Sequence, residues 1–304
     1  MKTTNISEDF LGQYAKNIYS QYGEDGILEE ILRRISSAHN LDKWCVEFGA
    51  WNGIHLSNTY NLIKNLSYKA VLIEGDKKKY QELCRNIPQR EVVKICKFIT
   101  FDGDSTLDAV LGATSIPKNF DLLSIDIDGC DYFIFESMIK FLPKVVCIEY
   151  NPTIPNEVEF TQPKNFAIKQ GSSPLSLLKL ANSKGYVLAA TTHTNLILIH
   201  DGFKEAVIGS SNPSLNDLRD DADIKMFIFS GYDGTILSNK KKVVANWHGT
   251  GRYINDMQAL PKFLRTFSGD YGSFQSISIK LWQAIFAIKY FIYEPSKAKE
   301  RFRK

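Results

Sequence analysis

No pair of cysteines in this chain stands at CxxC spacing, which excludes the commonest zinc and dithiol-redox motifs. The five that occur, Cys45, Cys84, Cys96, Cys130 and Cys147, are scattered. Cys45 and Cys147 sit inside apolar runs, where a free thiol behaves as a small buried hydrophobe. Reduced cysteines of that kind point to the cytosol. The opening stretch, MKTTNISEDF, lacks the apolar core of a secretory leader, and no uninterrupted apolar run reaches the roughly 18 residues of a membrane-spanning helix. The expectation is a cytoplasmic protein that at most rests on the inner face of a membrane. Charge of one sign is scarce as well, with a net +3 over 304 residues. Nucleic-acid binders carry a stronger and more local basic excess, so no nucleic-acid partner is expected. Internal repeats and low-complexity segments are also missing.

What is present suits one large domain, or one domain with an appended piece. Apolar residues make up 44% and charged residues 23%, enough to bury a sizeable core. The pattern divides into an N-terminal helical segment (1–36), a central domain (37–202) and an extension (203–304). In the first, Ile27, Leu28, Ile31, Leu32 and Ile35 recur at helical spacing. Apolar runs then follow at 44–49, 69–76, 92–100, 122–129 and 144–150, separated by helical periodicity at 55–66, 77–87 and 131–140. After a helix over 174–184, two runs at 186–190 and 195–200 share a short polar turn, as an antiparallel edge pair does. This alternation predicts an α/β fold, a doubly wound, mostly parallel seven-stranded sheet with a C-terminal helical or irregular extension. In the extension, Phe227-Ile228-Phe229 and Val243-Val244-Ala245 predict a small strand pair. Residues 277–293 predict an amphipathic helix, followed by a cationic tail.

Ligands of an open α/β sheet bind at the carboxyl ends of the strands, so the strand ends carry the candidates. The first ends Glu47-Phe48-Gly49-Ala50-Trp51-Asn52-Gly53. A dinucleotide loop wants G-x-G-x-x-G to seat a pyrophosphate on a helix N-terminus. Here an acid heads the turn and would repel phosphate, so a nicotinamide-dependent oxidoreductase is disfavoured and a ligand with a cationic centre is favoured. Glu74 closes the second run, where an acid accepts two ribose hydroxyls; Asp76 beside it reads as a helix cap. Asp102 and Gly103 end the third run, either beside an adenine or as a turn. Asp126 and Asp128 are two apart in the fourth, and alternation would place them on one face. With Glu149 from the fifth run, and Asn151 beyond it, they offer oxygen ligands for Mg or Mn; alternatively one acid takes a hydroxyl proton. Asp131 reads as a helix cap. Pro152 and Pro155 stiffen a loop over the expected site, and Ser172 or Ser173 with Pro174 reads as the start of a helix. His55, two residues after Gly53, and His193 are candidate bases.

Val46-Glu47-Phe48-Gly49-Ala50-Trp51-Asn52-Gly53, Ile73-Glu74-Gly75-Asp76 and Ser124-Ile125-Asp126-Ile127-Asp128-Gly129 together resemble the FkbM-type branch of class I S-adenosylmethionine-dependent methyltransferases. Ser20-Gln21-Tyr22-Gly23-Glu24-Asp25 is similar to the segment that precedes the first strand in that branch. The resemblance covers about residues 18–200. It departs at Asn52 and Ile54, which stand where many such enzymes place glycine, and at Asp128-Gly129 in place of Glu-Gly. It implies that Glu47, Gly49, Asn52 and Gly53 line the methionine end of the donor, with Gln21 nearby. Glu74 then holds the ribose, Asp102 and Gly103 lie by adenine, and Asp126 lies near the methyl. Asp126, Asp128, Glu149 and His55 form the catalytic set, and the first three are the ligands of any divalent metal. The implied reaction is O-methylation of a sugar or surface-polysaccharide hydroxyl, so the implied partner is a small-molecule or glycan acceptor. A rival reading is a non-catalytic nucleoside- or glycan-binding protein that keeps the fold. The C-terminal aromatic helix adds two expected partners, a membrane face and a second copy in a homo-oligomer.

Overall fold

A strand covered on both faces reads as a continuous apolar run, and the runs up to residue 200 are of that kind. In the computed structural model, which describes residues 11–293, they form β1 (Trp44–Phe48), β2 (Lys69–Glu74), β3 (Val92–Cys96), β4 (Leu122–Ile125), β5 (Val145–Glu149), β6 (Tyr186–Thr191) and β7 (Asn195–His200). They make one sheet in the order β3-β2-β1-β4-β5-β7-β6. The first five are parallel, and β7 runs antiparallel to both β5 and β6. This is the expected doubly wound, mostly parallel seven-stranded sheet.

Alternate residues of each strand feed opposite cores. Cys45, Leu72, Leu122, Val145 and Ile197 pack on one face under α1 (Glu24–Ser36), α2 (Tyr60–Asn65) and α3 (Lys77–Asn86). Val46, Ile73, Leu123, Val146 and Leu198 pack on the other under α4 (Leu107–Gly112), α5 (Asp131–Ser137) and α6 (Pro174–Ser183). Truncating a fully buried leucine such as Leu122 to alanine would cost about 2–5 kcal/mol. Two of the cap readings hold, while Asp131 is the first residue of α5 and Cys130 its N-cap. Asp76 accepts the N–H groups of Lys78 and Lys79, and Ser173 accepts that of Ser176 with Pro174 in the first turn.

Several elements are shorter than their periodicity predicts. The helix expected over 55–66 begins only at Tyr60, because residues 51–57 form turns. β3 stops at Cys96, so Asp102 lies in a loop. β4 stops at Ile125, so Asp126 and Asp128 are not successive same-face strand positions as alternation implied. Asp131 explains the exit. Its carboxylate accepts the N–H groups of Ile127 and Gly129, both at 3.0 Å, and curls the backbone out of the sheet; Asp128 takes φ 55° in that curl.

The chain divides into two compact units, Met1–Ile224 and Lys225–Lys304. The first also contains α7 (Lys204–Ile208) and α8 (Leu215–Leu218). In the second, the single strand pair expected from 227–229 and 243–245 is corrected to two hairpins. Ile228–Ser230 (β8) pairs with Ile236–Ser238 (β9), and Lys242–Ala245 (β10) with Thr250–Tyr253 (β11). Each strand closes on its sequence neighbour because a short loop costs less entropy than a long one; Gly234, at φ 79°, and Asp233, bonded to the Thr235 N–H, make the first turn. A long helix, α9 (Ser273–Tyr293), ends the described chain. The cationic tail expected after it lies outside the described residues.

Candidate active site

The strand order reverses between β1 and β4, and the loops leaving those strands meet closely. Gly49 has φ 85°, and a Cβ there would lie 1.8 Å from the carbonyl oxygen of Asp126. Only glycine permits this approach. Gly53 also has positive φ, 80°, but an added Cβ would meet side chains alone, Ile87 at 2.8 Å and Leu83 at 3.4 Å. Asn52 Oδ1 accepts the N–H groups of Ile54 and His55 at 3.1 and 2.9 Å, which closes the turn. His55 is exposed, edge-on to the Trp51 ring.

Glu47 is buried at the end of β1, and its carboxylate is engaged by the next loop. It accepts the Ser57 hydroxyl at 2.6 Å, the Thr59 hydroxyl at 2.8 Å and the Asn58 N–H at 2.8 Å. Burial nevertheless pushes its carboxyl up to about 7, against the pull of those three donors. Asn58 then reaches Ser124 Oγ of β4 at 3.1 Å. Glu47 in this structure is a positioning residue that ties the loop at 57–59 to the sheet. Ser57, Asn58 and Thr59 were hidden in the sequence because the periodicity over 55–66 put them inside a helix that begins only at Tyr60.

Glu74, half-buried at the end of β2, accepts the Trp51 N–H at 2.8 Å and the Asp76 N–H at 2.7 Å. One carboxylate therefore joins the β1 and β2 loops and keeps lone pairs to spare, since each oxygen has about two acceptor sites. Beside it stands a residue with no motif to announce it. Phe98 is 59% exposed, lies next to Gly75, and packs edge-on to Phe166, which stacks on Phe101 at 4.3 Å. In the sequence Phe98 is hidden inside the apolar run 92–100, which the structure ends at Cys96. Asp102 is exposed, and Gly103 has open space around it.

The acids after β4 and β5 converge. One oxygen from each of Asp126, Asp128 and Glu149 lies within 4.8 Å of the others. Two carboxyl groups as close as Asp126 and Glu149 repel each other when both are ionised, which favours a proton on one of them. Crowding by the surrounding protein, then the nearby charges of Asp128 and Glu24, raises Asp126, although its side chain keeps an open path to solvent. Burial and the charges of Asp126, Asp131 and Asp128 push Glu149 further up, so Glu149 holds the proton. The arrangement thus presents a close pair of acids with raised proton affinity, higher on Glu149 than on Asp126, and a third acid beside them.

Two walls flank these acids. On one side, the segment quoted for the resemblance is folded by Asp25, whose Oδ2 accepts the N–H groups of Ile18, Tyr19 and Ser20. Glu24 bonds Thr192 and Asn195 of the β6–β7 turn, and Tyr22 packs on His193. Gln21 is exposed there. The other wall is the proline loop after β5. Asn151 Oδ1 accepts both the N–H and the hydroxyl of Thr153, which leaves it poorly suited to ligate a metal. Arg219 straps this loop by donating to Pro152 and Ile154 carbonyls and to Asn156 Oδ1, with its guanidinium 5.0 Å over Tyr150. So the structure brings Asp126, Asp128 and Glu149 together and joins Glu74 to the glycine turn. Among the described contacts, His55, Gln21, Asn151 and Asp102 have none with the acid trio.

No family model matches this chain, and no curated protein matches it. Among solved structures it is similar to the CMeT domain of the citrinin polyketide synthase, at 10% identity and TM-score 0.37, over 60% of this chain and 54% of that one. It is similar to a SAM-dependent methyltransferase from Aquifex aeolicus at 8% identity and TM-score 0.36, over 61% and 93% of the two chains. A third is LepI in complex with SAM, at 12% identity and TM-score 0.37, over 56% and 46%. The chain thus spans only about half the length of the first and third. Likeness at this level carries no chemistry, and the fold is read from the sheet itself.

Proposed function

We propose that this chain is an S-adenosylmethionine-dependent O-methyltransferase acting on a hydroxyl of a sugar or surface polysaccharide. The carrying observation is the convergence of Asp126, Asp128 and Glu149 at the switch point, against a turn that only Gly49 can make. An anionic edge without a phosphate-binding glycine loop suits a cationic ligand, so the residues present fit this donor. Glu74 would accept the ribose hydroxyls and Phe98 would offer its face to the adenine. When bound, the donor supplies an electrophilic methyl group on a sulfonium. Asp126, ionised beside protonated Glu149, would take the proton of the acceptor hydroxyl. The loop strapped by Arg219 would hold the acceptor in line, and such positioning supplies much of the rate gain.

A second reading rests on the same trio: three carboxylate oxygens this close suit a hard divalent cation, Mg or Mn, which would replace the proton on the acid pair. Calorimetric titration with S-adenosylmethionine and its demethylated product, with NADH as control, tests the donor. Binding of the adenosyl ligands alone supports the proposal. Binding without transfer to any glycan hydroxyl would favour the non-catalytic binder, and no binding by a folded sample would remove the proposal. Transfer abolished by a chelator and restored by magnesium would favour the metal reading.

A further inference from the structure

Helix α9 carries an apolar stripe that the described rest of its own unit leaves uncovered. Phe274, Ile277, Leu281, Ile285 and Ile288 are each between 50% and 73% exposed. At about 100° per residue these five fall within an arc of roughly 80°. The helix is nonetheless docked by another side. Trp282 Nε1 donates to the Ala259 carbonyl at 2.9 Å, and Gln275 Nε2 to that of Phe263 at 3.0 Å. The stripe is therefore an outward face of an anchored helix. No helix among the described residues is long and apolar enough to cross a membrane, and an anchored helix with one apolar stripe is the form that lies in an interface plane. From Ser273 to Lys304 the sequence holds seven basic residues and two acidic ones. Five of the basic residues, Lys297, Lys299, Arg301, Arg303 and Lys304, fall beyond the described helix.

We propose that α9 docks in the plane of an anionic lipid surface, its stripe among the acyl chains and the cationic segment on the headgroups. A second copy of the chain would cover the stripe but leave the cationic segment without a counter-charge; an anionic bilayer answers both. The inference is independent of the donor reading. It is tested by flotation of the full chain with vesicles of phosphatidylcholine, with and without phosphatidylglycerol. Binding is expected to the anionic vesicles, weakening as salt rises. Leu281→Asp with Ile285→Asp should lower the partition about tenfold or more, and Lys297→Glu with Lys299→Glu should remove the preference for phosphatidylglycerol. Ile277→Asp serves if the double variant fails to fold, and circular dichroism reports folding in each. Failure of the folded wild-type chain to float with anionic vesicles would overturn the proposal. So would undiminished binding by the stripe variants, or a dimer, dissolved by Leu281→Asp, that binds no vesicles.

Discussion

Replacing Glu74 by alanine separates donor recognition from folding more cleanly than any other change at this site. The carboxylate carries two backbone donors, Trp51 at 2.8 Å and Asp76 at 2.7 Å, one on each oxygen. Each oxygen keeps about one further acceptor site for a ribose hydroxyl. A hydrogen bond to a charged acceptor contributes about 1.5–3 kcal/mol, so losing two removes about 3–6 kcal/mol of donor binding. At about 1.4 kcal/mol per decade that is a rise in Kd of some 10²–10⁴-fold, the lower end holding if water partly replaces the carboxylate. The fold should survive, because Glu74 is only half-buried and the β2 ladder does not use its side chain. Calorimetric titration of the demethylated product, with a thermal melt on the same sample, reads both effects. Glu74→Gln should fall between, since its single oxygen cannot serve both loops and both hydroxyls. A folded Glu74→Ala protein that binds within about threefold of wild type would refute the ribose assignment.

Three other outcomes follow from the same geometry. Gly49→Ala should destabilise the first unit by at least about 3 kcal/mol, because positive φ alone costs about 1–2 kcal/mol and the Cβ meets the Asp126 carbonyl; Gly53→Ala, facing a movable Ile87 side chain, should cost less, as urea melts will read. Glu47 titrates near 7 when folded against an ordinary 4.5, so the folded state holds the extra proton. Its contribution to stability is full below pH 4.5 and is lost as pH rises through 7, by on the order of 3 kcal/mol. Glu47→Gln, which can still accept from Asn58 and donate to Thr59, should flatten the decline of urea midpoints between pH 5 and 8, and an unchanged slope would count against this account. Arg219→Ala should raise the acceptor KM severalfold while leaving donor affinity alone; equal loss of both would mean the strap supports the whole site.

Strands and their order of use were legible because each buried run announces itself, and acids closing apolar runs stand out against their neighbours. Glu74 and the pair Asp126 and Glu149 were found that way. What stayed hidden depends on contacts between distant parts of the chain. Nothing near Asp131 says that its carboxylate will pull Asp128 out of the strand. Nothing near Phe166 says that it will stack on Phe101, and nothing near Arg219 says that it will meet Pro152. The Asp25 loop shows the reverse case. Its sequence carried a resemblance, while in the structure its carboxylate collects backbone N–H groups, an architectural role that local pattern cannot tell from a ligand contact.

The Arg219 strap has a consequence for how this chain can be cut and varied. The sheet is complete at His200, yet the loop after β5 is fastened by a residue nineteen places further on. A fragment ending with the last strand would lose both this clamp and two buried side chains, Val207 and Leu215, one from each core. The stretch from 203 to 224 is thus part of the scaffold as well as its clamp, and a change in residues 151–172 has to be matched by one at Arg219.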